Sequence, residues 1–301
     1  MNQAALDRQQ TLSRTVEVSG VGLHSGIPVK VRLSPAPVGF GLRFVRTDVG
    51  NAVVPVNPAS LKSGVRCTAL QANGVGARTT EHLLAVLYAF GVDNCEIAID
   101  AEELPILDGS GLGWVEALSE AGLSAQEAPR KVLQVSHPVV HSEGGTTLMV
   151  LPVNSGLRLT VASVTDHPVA GVQTVDLEVS RQSFVERLAP ARTFCFEEEI
   201  QALRDAGLAR GGSLDNTLVV GHDRFWSPLR VDQELAAHKA LDLLGDLAAL
   251  GRPLSAHVVA IRPGHAANQQ LVRKIWGQLA TVPQPDAIER CSTSAPQSAI
   301  F

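Results

Sequence analysis

Apolar and polar residues alternate in residues 15–19 and again in residues 28–33. This two-residue period is typical of strands that bury one face and expose the other. Residues 20–26 between them are rich in glycine, which indicates a turn. The beginning of the chain is therefore predicted to be a region of strands and turns.

Helical spacing replaces this alternation near residue 80. Leu83 and Leu87 lie four residues apart and predict the apolar face of a helix. Thr80 is a candidate cap, and Glu81 lies in the first turn, where negative charge is favourable. Gly91 follows the last apolar position and predicts the end of this helix.

The rest of the chain repeats this order of elements. A strand at 95–99, a loop at 104–110 and a helix ending near residue 121 complete the first half. Residues 122–130 are small, polar and proline-containing, so they predict a linker. After this linker we predict strands at 132–135, 146–150, 157–162 and 172–179, helices at 196–206 and 232–250, a strand at 256–262 and a helix at 265–279.

Two α+β domains account for this repeat. In each domain a small sheet is packed by helices, and the two helical layers face each other. We predict a first domain at residues 1–125, a second at residues 126–281 and a loosely held tail at residues 282–301. A ligand site is expected between the domains.

The composition is that of a globular protein and excludes several function classes. Of the 301 residues, 45% are hydrophobic and 18% are charged, and the net charge is −5. There is no basic run, so nucleic acid is not an expected partner. The longest nearly unbroken apolar stretch, residues 83–92, is about half of what a bilayer crossing needs, and the N-terminus has no apolar signal core. We therefore expect a soluble cytoplasmic protein without a transmembrane segment.

The four cysteines are scattered and include no Cys-x-x-Cys pair. This spacing argues against a disulfide framework and against a zinc ribbon. If the protein binds a metal, its ligands are expected to be histidine and carboxylate side chains.

The most informative segment lies in the helix predicted at 232–250. His238, Asp242 and Asp246 follow one another at intervals of four residues, so they share one helix face. Because the rest of this helix is mainly Ala and Leu, the three residues could begin a metal site. A solvated face with a chance His–Asp pair explains the spacing equally well, and both interpretations stay open at this point.

Two further segments contribute candidate groups. Glu81 and His82 lie together at the start of the first helix, and His265 lies between a strand and a helix. A glutamate in a first turn usually interacts only with the helix dipole, and a lone histidine is usually a cap or a surface residue. Taken with His238 and Asp242, however, these residues form the inventory of a hydrolytic zinc site.

A series of ordered blocks then identifies a family resemblance. The blocks include Gly20-Val-Gly-Leu-His-Ser-Gly26, Thr80-Glu-His-Leu-Leu-Ala85, Pro105-Ile-Leu-Asp-Gly-Ser110, Ala191-Arg-Thr-Phe194, Gly211-Gly-Ser-Leu-Asp-Asn216, His238-Lys-x-x-Asp242 and Gly264-His-Ala266. Through them nearly the whole chain resembles the UDP-3-O-acyl-N-acetylglucosamine deacetylases, the zinc amidases of lipid A synthesis. The resemblance implies two α+β domains with one insert each, the second insert forming a tunnel for an acyl chain.

The resemblance also implies catalytic roles. The implied ligands of a single zinc ion are His82, His238 and Asp242. Glu81 would be the general base. His265, held by Asp246, would stabilise the oxyanion and help the amine to leave, and Thr193 would place its hydroxyl on the oxyanion.

Substrate contacts are implied in the same way. Lys239 and Arg262 would meet the phosphates of the substrate. The acyl chain would contact an apolar stripe at helical spacing, which contains Phe194, Ile200, Leu203 and Ala209. Without the resemblance, packing against the domain is the simpler explanation of that stripe.

The sequence departs from the family pattern near the expected substrate. Just before His167 the family commonly has an Asp-Phe pair that meets uracil, and Val164 and Thr165 stand here instead. Ala237 replaces a common basic residue, and Arg262 with the proline after it replaces a common Lys-Ser pair. The catalytic set is intact, whereas much of the nucleotide-contacting set is altered.

We therefore expect a zinc-dependent deacetylase that converts UDP-3-O-acyl-N-acetylglucosamine into UDP-3-O-acyl-glucosamine and acetate in lipid A biosynthesis. The lost uracil-contact pair motivates an alternative, a zinc amidase acting on a different N-acylated sugar or lipid amide. A non-catalytic binding protein on the same fold is a third interpretation, which the intact catalytic set opposes. Iron(II) fits two histidines and one carboxylate as well as zinc does, and we expect a monomer.

Overall fold

The structure is a computed structural model and describes residues 8–281, so the predicted tail at 282–301 lies outside the described residues. The strands of the first half are β1 (Arg8–Leu12), β2 (Val16–Val21), β3 (Pro28–Pro35), β4 (Leu42–Arg46), β5 (Ala52–Pro55), β6 (Leu61–Ser63), β7 (Thr68–Ala72), β8 (Val75–Arg78), β9 (Cys95–Ile99) and β10 (Leu123–Pro129). The helices of this half are α1 (Glu81–Phe90) and α2 (Leu112–Ala121).

The second half contains further strands and helices. The strands are β11 (Leu133–Gln134), β12 (Val139–Glu143), β13 (Thr146–Leu151), β14 (Leu157–Val164), β15 (Val172–Glu178), β16 (Phe194–Phe196), β17 (Leu218–Val220) and β18 (Leu254–Ile261). The helices are α3 (Arg181–Ser183, continued by a π-helical turn at Phe184–Leu188), α4 (Glu199–Asp205), α5 (Glu234–Ala248) and α6 (His265–Thr281).

The main sheets of the two halves have the same topology. The first has the strand order β2-β3-β9-β4-β5 and the second β12-β13-β18-β14-β15, with β11 paired to β18. In both, the strand of the sheet that comes last in the chain (β9 or β18) lies at the centre, antiparallel to one neighbour and parallel to the other. The predicted α+β fold and the architectural repeat are thereby confirmed.

The helices form the layer between the sheets. Helix α1 packs against α5, which also contacts β14 and β15, while α6 packs against α5 and β12. Leu83 and Leu87 of α1 and Leu241 and Leu244 of α5 are fully buried in one continuous hydrophobic core. Burial of these apolar faces against each other holds the two halves together.

Each half also carries an insert. In the first half, β6, β7 and β8 form a separate sheet immediately before α1. In the second half, β16 and β17 form a parallel pair, and α4 lies between them in the chain. Both inserts contribute residues to the cavity described below.

Two local predictions are wrong. The linker predicted at 122–130 contains β10, which pairs antiparallel with β1 so that Leu123 lies opposite Leu12. Strand pairing uses backbone groups, so small and polar side chains do not prevent it. The helix predicted at 196–206 begins only at Glu199, because the residues before it pair with β17. The predicted domain division after residue 125 falls within β10 and stays a prediction.

None of the helices among residues 8–281 is both long and apolar enough to cross a membrane.

Candidate active site

Helices α1 and α5 approach closely at the point where their polar residues meet. A Cβ atom at Gly245 would overlap the carbonyl oxygen of Glu81, so this contact requires glycine on α5. It brings His82 of α1 opposite His238 and Asp242 of α5. Residues far apart in the sequence thus form one site.

The polar face of α5 is buried. The exposed fractions of His238, Asp242 and Asp246 are 3%, 4% and 0%. A solvated face is therefore excluded as the explanation of their spacing. Buried titratable groups are costly unless they are paired or bind a metal.

His82, His238 and Asp242 form a compact group of potential metal ligands. One ligand atom from each lies within 4.8 Å of the others. Oδ1 of Asp242 lies 3.3 Å from Nε2 of His238 and 4.0 Å from Nε2 of His82. This oxygen is buried and has no hydrogen-bond partner among the described residues. A bare carboxylate oxygen beside two imidazole nitrogens fits a divalent cation.

The protonation states of the three residues suit metal binding. Burial, followed by the nearby His238, lowers the pKa of His82 to about 4, and burial lowers the pKa of His238 as well. Burial alone would raise the pKa of Asp242, but His238 and His265 hold it well below its usual range. Two neutral imidazoles and an ionised carboxylate can each offer a lone pair to a metal.

A backbone carbonyl orients the imidazole of His238. Nδ1 of His238 lies 3.1 Å from the carbonyl oxygen of Ala191. A carbonyl can only accept, so Nδ1 of His238 carries the proton and Nε2 keeps its lone pair. Such hydrogen bonds fix the tautomer and the ring orientation of a ligand.

Glu81 lies beside this ligand group. The backbone N–H of Thr68 donates a hydrogen bond to Oε2 of Glu81 at 2.9 Å. Burial, opposed by the nearby His265, raises the pKa of Glu81 to about 7. A carboxyl group that exchanges its proton near neutral pH is suited to general base catalysis.

His265, the first residue of α6, faces Glu81. Its Nε2 lies 3.7 Å from Oε1 of Glu81, and its Nδ1 lies 3.1 Å from Oδ2 of Asp246. Burial alone would lower the pKa of His265, but the carboxylates of Asp246, Glu81 and Asp242 outweigh burial and raise it to about 10. A cationic histidine next to a titrating carboxyl group forms an acid–base pair.

Two residues that hold Asp246 were missed by the sequence reasoning. Thr68 donates its hydroxyl proton to Oδ1, and Asn268 donates from Nδ2 to Oδ2 at 2.8 Å. Asn268 follows His265 by three residues on α6, so helical spacing could have identified it. Thr68 lies on β7, and no spacing signal connects it with α5.

A cavity of about 790 Å³ opens over the ligand group, a typical size for a small-molecule site. The predicted site residues that line it are Glu81, His82, Thr193, Phe194, Leu203, Ala209, His238, Lys239, Asp242, Arg262 and His265. Asp246 lies behind His265, and Ile200 on α4 is not part of the lining. The structure thus brings most of the predicted residues to one cavity.

Lys239 and Thr193 lie next to the ligand group. Nζ of Lys239 is 3.7 Å from Oδ2 of Asp242 and 5.3 Å from the centre of the Phe194 ring. The backbone N–H of Thr193 donates to the carbonyl oxygen of Gly109 at 2.7 Å. This bond connects the wall formed by the second insert to the first half of the chain.

Three charged lining residues were also missed. Asp166 directly follows Val164 and Thr165, and all three line the cavity. Arg66 of the first insert forms an ion pair with Glu199 of the second insert, and both line the cavity. Asp166 could have been identified from the sequence, because it directly follows Val164 and Thr165. The Arg66–Glu199 contact joins the loop between β6 and β7 to the first residue of α4, and sequence spacing does not relate these two segments.

Comparisons with known proteins agree with one another. A model of the family described as UDP-3-O-acyl N-acetylglycosamine deacetylase matches residues 9–277. A UDP-3-O-acyl-N-acetylglucosamine deacetylase from Solibacter usitatus is 43% identical over 271 residues, which are 89% of this chain and 91% of the relative. Relatives of the same name from Bdellovibrio bacteriovorus and Chromohalobacter salexigens are 40% and 39% identical. They cover 89% and 90% of this chain and 89% and 91% of their own lengths.

Proposed function

Because the chain belongs to the UDP-3-O-acyl N-acetylglycosamine deacetylase family, we propose that it hydrolyses the N-acetyl group of UDP-3-O-acyl-N-acetylglucosamine in lipid A biosynthesis. The products are UDP-3-O-acyl-glucosamine and acetate. The observation that carries this proposal is the buried group of His82, His238 and Asp242, with Glu81 and His265 beside it.

The proposed cofactor is one Zn²⁺ ion per chain, with His82, His238 and Asp242 as its ligands. Two neutral imidazoles and one carboxylate form a donor set that leaves a coordination position open. When bound, the ion supplies Lewis acidity at the amide carbonyl and at the attacking water. Iron(II) binds to the same donor set. Which metal the protein binds therefore depends on which ion is available to it as well as on these ligands.

Glu81 and His265 are the proposed base and acid. Glu81 takes one proton from water while the water oxygen bonds to the acetyl carbon. His265 then gives its proton to the nitrogen while the carbon–nitrogen bond breaks, so that the amine and acetate leave. The 3.7 Å separation of Oε1 of Glu81 and Nε2 of His265 supports action on the same amide group.

Thr193 is the proposed hydrogen-bond donor to the oxyanion that forms on the acetyl oxygen. It lines the cavity, and its backbone is held by Gly109. A donor that is already in place costs no reorganisation in the transition state.

The remaining predicted residues are proposed to bind the substrate. Lys239 and Arg262 both line the cavity and would offer cationic groups to the phosphates. The acyl chain would pass the apolar side chains of Phe194, Leu203 and Ala209, and Ile200 lies one turn before Leu203 on α4, outside the cavity lining.

The altered pair in the cavity wall favours a second candidate function. Val164 cannot accept a hydrogen bond from a base through its side chain, and the Thr165 hydroxyl is a neutral acceptor. The second candidate is a zinc amidase that acts on another N-acylated sugar or lipid amide. Asp166, which lines the same wall, supplies a carboxylate there and supports the first candidate.

We also propose that the protein works as a cytoplasmic monomer. Nucleotide-linked sugars are cytoplasmic metabolites, and the proposed metal ligands, base and acid come together within one chain, so the chemistry needs no residue from a second copy. Light scattering of the purified protein measures the oligomeric state, and a dimer would contradict this part of the proposal.

Acetate release from three substrates tests the proposed function. The substrates are UDP-3-O-acyl-N-acetylglucosamine, UDP-N-acetylglucosamine without the acyl chain, and the acylated sugar without UDP. We expect kcat/KM for the first to exceed that for the second by on the order of a hundredfold, because several acyl methylenes become buried. Faster turnover of the sugar without UDP would favour the second candidate. No acetate from any of the three would contradict the proposed function.

A further inference from the structure

A buried ion pair connects the segment that carries Thr193 to the first turn of α5. Nε of Arg192 lies 2.8 Å from Oε1 of Glu234. The side chains of these residues are 5% and 0% exposed. Neither residue lines the cavity, so the pair does not contact a ligand bound there.

Further hydrogen bonds surround this pair. Nη1 of Arg192 donates to the Ser227 hydroxyl at 2.9 Å, and Nη2 donates to the carbonyl oxygen of Pro228 at 2.7 Å. The Glu234 carboxylate also accepts from the backbone N–H groups of Arg192 and Arg230. Burial alone would raise the pKa of Glu234, but its hydrogen bonds, first those from Arg192, hold it below its usual range.

An ion pair of this kind is a weak source of stability. Removing two charges from water carries a large free-energy cost, and apolar replacements of buried pairs are often neutral or stabilising. Its more specific contribution is geometric, because a bidentate guanidinium–carboxylate contact fixes both distance and orientation.

The two neighbours of Arg192 in the chain both belong to the candidate active site. The carbonyl of Ala191 accepts from Nδ1 of His238, and Thr193 follows Arg192 directly. Glu234 lies one helical turn before His238 on α5. The ion pair therefore fixes the segment 191–193 to the part of α5 that carries His238.

We propose that Arg192 and Glu234 are positioning residues for the deacetylation. Their ion pair holds the Ala191 carbonyl against His238, and this contact keeps the proton on Nδ1 and the lone pair on Nε2. The same pair holds Thr193 in place at the cavity wall. The inference rests on the proposed function for the roles of His238 and Thr193.

Two variants test the pair. Glu234→Gln removes the negative charge with little change of shape, and Arg192→Lys keeps the positive charge but loses the planar fork. For both we expect the dissociation constant for Zn²⁺, measured by chelator competition, to rise about 10- to 100-fold. We expect kcat to fall at least about tenfold with KM nearly unchanged, because Thr193 is proposed to act only in the transition state.

A spectroscopic measurement on the zinc-free protein gives an independent readout. In the wild-type protein, ¹⁵N chemical shifts of the His238 ring are expected to report protonated Nδ1 and unprotonated Nε2. In both variants we expect a mixture of the two tautomers. A purely structural role would lower the unfolding temperature without changing the tautomer or the zinc affinity of the folded protein.

Asp176→Asn is the matched control, since it disrupts a bidentate ion pair with Arg158 on the exposed face of the second sheet. It should leave zinc affinity, tautomer and kcat unchanged. If Glu234→Gln and Arg192→Lys do not fold, Ser227→Ala decides the question, because it removes one hydrogen bond to Arg192 from a half-buried loop. We expect it to raise the zinc dissociation constant about threefold.

Folded variants with wild-type tautomer and wild-type zinc affinity would overturn the inference. A Ser227→Ala variant with unchanged zinc affinity and an unchanged His238 tautomer would overturn the inference as well. If the wild-type protein binds no zinc, the proposed function fails instead. The His238 tautomer in the zinc-free protein then still decides the role of the ion pair.

Discussion

The two sides of the cavity are built in different ways. On the side of α1, α5 and α6, the carboxylates of Glu81, Asp242 and Asp246 are buried close to one another, and a ring nitrogen of His265 lies within 4.0 Å of each. On the side of the second insert and the ends of β14 and β18, no residue of α4 is buried, and Asp166 and Arg262 are exposed.

This difference indicates where the chain tolerates change. In the buried network three carboxylates share the positive charge of His265, so a single replacement changes the charge that the remaining buried groups experience. Exposed side chains can be replaced one at a time with small effects on stability. The positions that depart from the family pattern described above are not themselves exposed: Val164 and Thr165 are half-buried on the second side, Pro263 is buried there, and Ala237 is buried within α5.

The largest expected effect concerns a ligand on the buried side. In His238→Ala the metal site loses one of its three proposed ligands, so we expect less than one bound zinc per chain. Lewis acid stabilisation is worth several kcal/mol, so kcat/KM should fall on the order of a thousandfold. Elemental analysis and acetate release check both expectations.

His257→Ala is the control for this prediction. His257 lies on β18 and contacts the Thr160 hydroxyl on the outer face of the sheet. Its replacement should leave both zinc content and activity unchanged. Full zinc content in His238→Ala would remove that residue from the ligand set.

The next effect concerns the base on the same side. Glu81→Gln should keep its zinc but lose roughly a hundredfold or more in kcat. In the wild type, Glu81 acts as a carboxylate, so the rate should rise as the pH rises through its pKa. His265 acts when protonated, so the rate should fall as the pH rises above its pKa.

In the zinc-free protein these pKa values are about 7 and about 10. A bound cation favours the carboxylate form of Glu81 and disfavours the imidazolium form of His265. The acidic and basic limbs of the pH–rate profile should therefore both lie at a lower pH than the two pKa values of the zinc-free protein. The acidic limb should disappear in Glu81→Gln. A wild-type profile of kcat/KM against pH in that variant would contradict the role of Glu81.

The third prediction concerns a substitution that disrupts the close contact between α1 and α5. In Gly245→Ala the new Cβ would overlap the Glu81 carbonyl oxygen, so α1 and α5 must move apart. A displacement of about 1 Å in a catalytic group can cost on the order of a hundredfold in rate, and we expect a loss of about ten- to a hundredfold.

Gly277→Ala on α6 is the matched control, since nothing lies within 4 Å of its new Cβ. It should keep full activity and raise the free energy of unfolding by about 0.5–1 kcal/mol. Equal activities of the two alanine variants would show that the helix contact does not determine the geometry of the site.

The smallest effect is expected on the exposed side. The double change Val164→Asp with Thr165→Phe should lower KM for the UDP substrate about tenfold, because a charged acceptor is restored. It should leave kcat nearly unchanged, since remote uniform binding does not speed the chemistry. Val172→Asp, opposite Val164 in the sheet but outside the cavity lining, should change neither. An unchanged KM in the double variant would mean that other groups hold the uracil end, or that uracil is not part of the natural substrate.

The shared face of three residues on α5 could be predicted from the sequence for a physical reason. The spacing of His238, Asp242 and Asp246 is a property of one helix, and helical periodicity determines which residues share a face. The meeting of that face with Glu81 and His82 depends on packing between distant elements, for which only the family resemblance was informative. Contacts from common hydroxyl and amide side chains, such as those of Thr68 and Asn268, leave no periodic signal.

The fold, too, could be predicted from the sequence only where a local pattern reports it. Alternating apolar residues predicted most strands of both sheets, because one buried face imposes a two-residue period. Strand β10 was missed because most of its residues are small or polar, and its pairing with β1 relies on backbone groups that any residue carries. Strand order likewise depends on contacts between distant segments, so the shared topology of the sheets became visible only in the structure.

The most direct test of the account is a titration of the zinc-free protein with Zn²⁺, with acetate release from UDP-3-O-acyl-N-acetylglucosamine measured at each step. Since the proposed site has one set of ligands, His82, His238 and Asp242, the account predicts that activity rises linearly and reaches its maximum at one equivalent per chain. Full activity in the zinc-free protein, or a requirement for a second equivalent, would contradict it.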